Sequence, residues 1–366
     1  MKLVIATGIY PPDIGGPATY SSLLAKEFPK RGFDVKIVTY GPAGISRKIP
    51  KGLRHLIYFL VCLFKALNSD IVFAQNQLSA GLPAMLVAKV TGCKFVIRIA
   101  GDSVWEWVVQ KCGVKEGIDD FQGKKYGALI ELRRKIQRFV VRGADAIITP
   151  SIYFKKVVSG WVRNPDKIYV IYNGIDLDKP RNLGAKEKKD KVIFSAGRLA
   201  PWKGFDVLVE LMNDLPDWQL IIIGDGPEKD KLKKIIDQLN LGARVELIGS
   251  MPRERLLKYL NKAKVFVLNT SFESFSFQIV EAMNAGVPVV TTNIGNLPEI
   301  IDNGREGILV EPNNKKQIIE AVKKIEGDDY FRKTIINNAQ KKAQRFSLDN
   351  MLDNLEKLLK SLYVTK

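Results

Sequence analysis

Glu273-Ser-Phe-Ser-Phe-Gln-Ile-Val-Glu281 runs directly into Ala-Met-Asn-Ala-Gly286-Val-Pro288 and follows the apolar stretch Val265-Phe-Val-Leu-Asn-Thr270. Residues 265–268 read as a buried strand and the serine-rich segment after them as a turn. A helix follows and stops at Gly286, the residue type that tolerates a left-handed conformation past a helix end. This spacing sets Glu273 on the turn and Glu281 about one turn inside the helix. A strand, a turn and a helix in that order carry both acids to the carboxyl edge of a parallel sheet, where open α/β folds bind their ligands. The free amides at the helix start favour an anion such as phosphate. Two solvated acids on an ordinary capped helix is the plainer reading of the same residues, and the rest of the chain decides between the two.

Short valine- and isoleucine-rich runs alternate with helix-length amphipathic segments throughout, the pattern of a parallel sheet covered by helices on both faces. In the first half, strands are expected at 3–7, 35–39, 71–74, 95–99, 146–149 and 170–172. The turn Asn173-Gly174 and the charged stretch Lys186-Glu-Lys-Lys-Asp-Lys191 separate them from a second series at 192–196, 220–223, 245–248, 265–268, 289–291 and 307–310. Two doubly wound units in tandem bring two sheet edges face to face, and a cleft between domains is a usual place for a small-molecule site.

With 366 residues, 46% hydrophobic and 26% charged, the chain is long enough for two such domains. No apolar run reaches the length of a membrane span, and Met1-Lys2-Leu-Val-Ile-Ala enters a strand at once, so no cleaved leader is expected. Cys62, Cys93 and Cys112 are odd in number and far apart, which argues against a disulfide framework or a zinc ribbon. The formal charge of +18 is uneven: residues 1–180 hold 27 Lys and Arg against 14 Asp and Glu, whereas residues 181–366 hold 30 against 25. That excess in one half suggests a phosphate-bearing partner, either nucleic acid or an anionic membrane surface. No zinc finger, RNP-type aromatic motif or helix-turn-helix pattern accompanies it, so nucleic acid is the weaker of the two and is not expected as a partner.

Two segments bear on the membrane. Residues 53–67 contain Leu-Ile-Tyr-Phe-Leu-Val-Cys-Leu-Phe, apolar on nearly every face, and read as a buried helix. Residues 126–142 interleave Arg133, Arg134, Lys135, Arg138 and Arg142 with Leu129, Ile130, Leu132, Ile136, Phe139 and Val140. They fit either a surface that docks on anionic lipid or a helix with a solvated basic face.

The spacing of Glu273 and Glu281 resembles the Glu-x7-Glu signature of the retaining glycosyltransferases of family 4, the glycosyl transferases group 1, whose fold is GT-B. Ala6-Thr-Gly-Ile-Tyr-Pro-Pro-Asp-Ile-Gly15-Gly16-Pro-Ala-Thr-Tyr looks like that family's first strand and glycine loop. Ser195-Ala-Gly197-Arg198-Leu-Ala-Pro-Trp-Lys203-Gly204 looks like its phosphate clamp, and Ile221-Ile-Ile-Gly224-Asp-Gly226-Pro like its next strand and turn. The resemblance implies an α/β protein of two Rossmann-like, doubly wound parallel-sheet domains facing across a cleft. An acceptor domain would span 1–172, a C-terminal helix at 347–366 would cross back to it, and 173–346 would bind the nucleotide sugar. It implies transfer of a sugar, with retention, from a nucleotide-sugar donor to a glycan or lipid-linked saccharide in cell-surface polysaccharide biosynthesis. The protein would be cytoplasmic and peripheral on the inner face of the membrane, with no cofactor and no metal.

Such a transfer needs cations and backbone amides where charge develops on the departing diphosphate. Arg198 can bind two phosphate oxygens and Lys203 adds a point charge, the pair being bracketed by Gly197 and Gly204; in a random loop the same two would be surface ion-pair residues. Glu281 is assigned the ribose and Glu273 the donor sugar, with Ser276 and Phe277 as further donor contacts. Gly15 and Gly16, ahead of a helix expected at 18–30, let backbone approach a phosphate and would close the site from the other domain. They do not form Gly-x-Gly-x-x-Gly, and there is no Gly-x4-Gly-Lys-Ser/Thr, which counts against a dehydrogenase or a P-loop NTPase. Asp176-Leu-Asp178 has a metal-motif spacing but sits at the domain junction and reads as linker.

His55 is the single histidine and sits just before an apolar helix with no partner identifiable in the sequence, which argues against serine and cysteine triads unless it serves as their base. The chain departs from the family at Ala100, where many relatives carry a histidine close to the transferred sugar. Asp102 either orients sugar or acceptor in its place, with Trp105 and Trp107 lining the entrance, or caps the following helix. The competing functions are a nucleotide-sugar epimerase of the same fold, which wants histidines that are scarce here, and a non-catalytic nucleic-acid-binding α/β protein, which would show salt-sensitive binding.

Overall fold

The computed structural model describes residues 1–13, 15–114, 116–177 and 191–364. Asp178 and the charged residues 186–190 singled out in the sequence lie outside the described residues. Two six-stranded sheets are present, and every strand pair in both is parallel. The first holds β1 (Lys2–Ala6), β2 (Asp34–Val38), β3 (Ile71–Ala74), β4 (Lys94–Arg98), β5 (Ala146–Thr149) and β6 (Ile168–Val170), in the order β2-β1-β3-β4-β5-β6. The second holds β7 (Val192–Ala196), β8 (Gln219–Ile223), β9 (Val245–Gly249), β10 (Val265–Leu268), β11 (Val289–Thr292) and β12 (Ile308–Val310), in the order β12-β11-β10-β7-β8-β9. Each expected strand is present, with ends that differ by about two residues at most.

A parallel sheet must be covered on both faces, so its inner strands are apolar almost throughout and successive residues divide between two cores. In the second sheet Ile193, Leu220, Ile222, Val265 and Val267 enter one core, while Phe194, Ile223, Phe266, Leu268 and Val289 enter the other. In the first, Leu3, Val4, Ile5 and Ala6 are all fully buried.

Backbone contacts divide the chain into one unit of Met1–Ile171 with Asp353–Lys366 and a second of Tyr172–Leu352. The last helix, Leu348–Val364, is divided between the two units at Leu352 and Asp353. Arg31 fixes its returning part through Nη1, 2.5 Å from Asp353 Oδ1 and 3.0 Å from Glu356 Oε2. Gly174 lies against its start: a Cβ there would sit 2.6 Å from the Ser347 carbonyl oxygen.

Two helices of the first unit differ from expectation. Lys51–Ala66 is not buried all round; it buries Tyr58, Cys62 and Ala66 and exposes Leu53, Leu56, Leu60 and Phe64. In Ala128–Arg142, Arg134 is not a solvated base. Its Nη1 donates to Lys124 O (2.8 Å) and Glu131 Oε1 (2.9 Å), and its Nη2 to Phe121 O (2.7 Å) and Gln122 O (3.2 Å).

The second sheet begins in its middle. From β7 the chain lays β8 and β9 on one side and then β10, β11 and β12 on the other. Loops leaving β7 and β10 diverge from adjacent strands, which opens a crevice at the carboxyl edge. Two close approaches shape it. A Cβ on Gly224 would overlap the Gly197 carbonyl, and Gly204, at φ 52°, has the amide of Asn269 and Asn313 Oδ1 where a Cβ would go. Gly204→Ala is therefore expected to lose roughly 1–3 kcal/mol, strain and collision combined. Gly92→Ala, at φ 72° with open space around it, should lose only about 1 kcal/mol. Urea midpoints of the two variants check the ranking.

Candidate functional site

The loop after β7 continues through Gly197, Arg198, Leu199 and Ala200 into a single turn, Pro201–Lys203. It is fastened to the loop after β8, with Gly197 N donating to Ile223 O and Leu199 N to Asp225 O, both at 3.0 Å. It is also fastened across the crevice to the loop after β10. The Trp202 carbonyl accepts from Ser271 N (2.8 Å), Thr270 Oγ1 (3.0 Å) and Ser271 Oγ (3.3 Å). Below it the Asn269 amide bridges Gly204 O at 3.0 Å and Asn313 Oδ1 at 2.9 Å. These ties bring together two residues that the sequence placed 70 positions apart: Lys203 Nζ pairs with Glu273 Oε2, the two side chains being 11% and 12% exposed. Arg198 stands exposed on the same loop.

Ser276 caps the helix Phe277–Asn284 by accepting from Ile279 N at 3.3 Å. Phe277 packs partly into the core, edge-on to Phe275. Gly286, at φ 68°, follows the helix end as the sequence suggested. Glu281 is buried, and Arg253 Nε reaches its Oε1 at 2.6 Å while Arg253 Nη2 donates to Asp176 O at 3.0 Å. Burial pushes the Glu281 carboxyl above its ordinary range, and the charge and hydrogen bond of Arg253 pull it part of the way back. The residues around Asp176 are thus tied to the candidate site by their backbone, and not merely linker.

The first unit holds the remaining expected residues. Gly15 precedes the helix Gly16–Glu27 and its carbonyl accepts from Thr19 N at 3.0 Å; a Cβ on Gly15 would lie 2.8 Å from Ile9 Cδ1, whereas Gly16 faces open space. Ala100 follows β4 and is partly buried. Asp102 is 1% exposed, and its Oδ1 accepts from Val104 N (2.9 Å), Trp105 N (3.1 Å) and Gln137 Nε2 (3.1 Å) while Oδ2 accepts from Gln122 Nε2 (2.9 Å). Of the two readings of Asp102, this geometry shows the cap: it caps Ser103–Lys111 and sits at the centre of a buried polar network. Trp105 is likewise core rather than entrance, its Nε1 donating to Glu116 O at 3.0 Å, and Trp107 carries the Arg133 guanidinium 4.1 Å above its ring. His55 Nδ1 is 2.8 Å from the Tyr40 hydroxyl.

Two family profiles match in succession, "Glycosyltransferase Family 4" over residues 14–179 and "Glycosyl transferases group 1" over residues 178–342. The chain belongs to the group 1 glycosyltransferases of the GT-B fold. An uncharacterised glycosyltransferase of Methanocaldococcus jannaschii is 26% identical, with 96% of each chain covered. The N-acetylgalactosamine-N,N'-diacetylbacillosaminyl-diphospho-undecaprenol 4-alpha-N-acetylgalactosaminyltransferase of Campylobacter jejuni is 32% identical over 52% of this chain and 53% of its own. Among solved structures, Anabaena HepE in complex with UDP is similar in fold at TM-score 0.75 and 20% identity, covering 99% of this chain and 100% of HepE. Sucrose-phosphate synthase of Thermosynechococcus elongatus reaches 0.81 at the same identity, with 100% and 99% covered.

Sequence reasoning about this glycosyltransferase missed three residues of the second unit. Arg253 opens the helix Arg253–Leu260 directly after β9, a strand-end position that could have drawn attention. Asn313, at φ 61°, closes the Asn269 bridge. Asn296 is fully buried, its backbone N lies 3.4 Å from Glu273 O, and its side-chain amide has no partner at nitrogen or oxygen among the described residues. A buried donor and acceptor left open beside Glu273 suit a polar ligand or water.

Asp102→Asn replaces an acceptor with a donor opposite a glutamine amide, and is expected to lose about 1–3 kcal/mol while turnover per folded molecule is unchanged. Urea unfolding run beside activity separates the two. Arg253→Gln leaves an ionised Glu281 buried without its counter-charge. A raised carboxyl pKa means the folded state holds its proton more tightly, so stability is lost as pH rises through that pKa. The variant should lose roughly 1–3 kcal/mol at neutral pH. That loss should shrink as pH falls towards the ordinary glutamate value of 4.5, as unfolding followed from pH 7 downward will show.

Proposed function

We propose that this glycosyltransferase moves a glycosyl group, with retention, from a nucleoside-diphosphate sugar to a hydroxyl of a free or lipid-linked saccharide. The observation that carries the reading is the Lys203–Glu273 pair in the crevice between β7 and β10. It sets a cation and a carboxylate side by side where an open α/β sheet binds ligands. HepE was solved with UDP and with UDP-glucose, which makes uridine diphosphate sugars the first donors to test. The Campylobacter relative acts, by its name, on a diphospho-undecaprenol-linked saccharide, and a 28% identical relative from Corynebacterium jeikeium is a D-inositol 3-phosphate glycosyltransferase.

The bond from the sugar C1 to the diphosphate oxygen breaks, its electron pair leaving with the diphosphate. The acceptor hydroxyl oxygen bonds to C1 on the same face, and its proton passes to the departing diphosphate. Lys203 and Arg198 stabilise the charge that develops there, the arginine by a two-pronged contact. When the diphosphate takes up Lys203, Glu273 is released to accept hydrogen bonds from sugar hydroxyls, so donor arrival switches the carboxylate from a lysine partner to a sugar partner. Glu281, oriented by Arg253, is assigned the ribose hydroxyls, and the open amide of Asn296 a further donor contact. Because the two cations supply the positive charge, the reading includes no metal. Since nucleotide sugars are cytoplasmic metabolites, it puts the protein in the cytoplasm.

Calorimetry with UDP and turnover with UDP-hexoses test it. Lys203→Ala and Arg198→Ala should each weaken UDP binding and lower turnover by about 10²–10³. Glu273→Gln should bind UDP at least as tightly as the native protein, its lysine being freed, yet lose turnover to a similar extent. Native UDP affinity and native turnover in all three variants would remove the assignment, and turnover abolished by EDTA would remove its metal-free part. A product of inverted anomeric configuration would overturn retention.

A further inference from the structure

Among the described residues fourteen large hydrophobic side chains stand exposed, and ten of them lie on, or one residue beyond, three neighbouring helices of the first unit. Single exposed hydrophobes are ordinary, but concentration on one face marks a contact surface. Leu53, Leu56, Leu60, Phe64 and Leu67 recur at helical spacing and form one stripe along Lys51–Ala66, about 24 Å long at 1.5 Å per residue. Phe64 is 78% exposed. The opposite stripe anchors the helix to the sheet: the buried Tyr58 hydroxyl lies 3.1 Å from Thr7 O and 3.0 Å from Val38 O. The helix Gly81–Thr91 packs beside it and adds exposed Leu86 and Val90. Beyond that, Ala128–Arg142 adds Leu129, Leu132 and Phe139, with Lys89 Nζ 5.4 Å from the Phe139 ring centre.

The charge on these helices has one sign. They contain nine Lys and Arg and a single acid, Glu131, whose carboxylate is taken by Arg134. We infer that this face docks on an anionic lipid bilayer, with the stripe from Leu53 to Leu67 in the interface and Lys89, Lys135 and Arg142 at the level of the headgroups. No helix among the described residues is long and apolar enough to cross a membrane, so the helix lies along the surface. A second copy of the chain is a poor occupant, because a self-complementary contact would set the exposed bases Lys89, Lys135 and Arg142 against their own copies. Nucleic acid is a poor occupant too, since the centre of the face is leucine and phenylalanine rather than groups that meet phosphates. The docking element is thus the apolar stripe, with 126–142 as its basic flank rather than the anchor itself. This inference stands apart from the donor chemistry, and each can fail without the other.

The test is flotation with vesicles of phosphatidylglycerol mixed with phosphatidylcholine, and with phosphatidylcholine alone, on the native protein, Leu60→Glu/Phe64→Glu and the surface control Tyr330→Glu in the second unit. UDP binding is measured on every variant as a check of the folded second unit, and circular dichroism melting as a check of the whole. The native protein and the control should float with the anionic vesicles and not with phosphatidylcholine alone. The double variant should partition about ten-fold less or weaker, two large apolar groups having been withdrawn from the interface. Raised salt should weaken binding without abolishing it, because the apolar contribution is not screened. If the double variant melts early, Phe64→Ser carries the test, with a loss of about three-fold expected. Equal partition of native protein and variants overturns the inference, as does binding that salt abolishes completely. A native protein that ignores anionic vesicles but forms a dimer dissolved by the same substitutions assigns the face to a second copy instead, and overturns it as well.

Discussion

A parallel sheet delivers the carboxyl end of every strand to one edge, and the candidate site follows from that constraint. Both sheets are covered on both faces, so neither face has room for a polar site. The edge is where backbone leaves the sheet, and where the strand order reverses two adjacent loops part. In the second unit the reversal lies between β7 and β10, and the loops that part there bear Lys203 and Glu273. The fold does not create their chemistry. It decides that residues far apart in sequence meet.

What keeps them together is a set of neutral hydrogen bonds rather than the ion pair itself. Three donors from Thr270 and Ser271 converge on the Trp202 carbonyl, and the amide of Asn269 reaches both Gly204 and Asn313. The loop after β7 is further zipped to the loop after β8, with Gly224 bare enough to let the Gly197 carbonyl in. A lysine and a glutamate held by such a scaffold can exchange partners without collapse of the loops that present them.

The twelve strands were legible because a parallel strand is short and a nearly continuous apolar run, and the alternation with helices left little choice of architecture. Glu273, Lys203 and Ser276 were legible because strand-end, glycine and capping chemistry are local. What the sequence did not reveal was long-range or directional. Nothing near Glu281 announces that Arg253, 28 residues earlier, would be its counter-charge. The Asp102 cap was one of two readings, and only the packing of Gln122 and Gln137 against its carboxylate decides between them. The helix Lys51–Ala66 shows the limit most plainly. Apolar residues stand on both its buried and its exposed stripe, so hydrophobicity alone does not say which meets the sheet, and the choice is made by the fit of Tyr58, Cys62 and Ala66.

Arg134 illustrates how charge and architecture come apart. Its planar fork collects the carbonyls of Phe121, Gln122 and Lys124, so the six-residue helix Ile118–Gly123 ends on an arginine side chain instead of on further backbone. A lysine there would conserve the isoelectric point of the protein yet offer one compact ammonium where three acceptors wait in different directions. The region near 118–127 would then be freed to fray and would become a target for proteolytic nicking, although no titration of the protein would register the exchange.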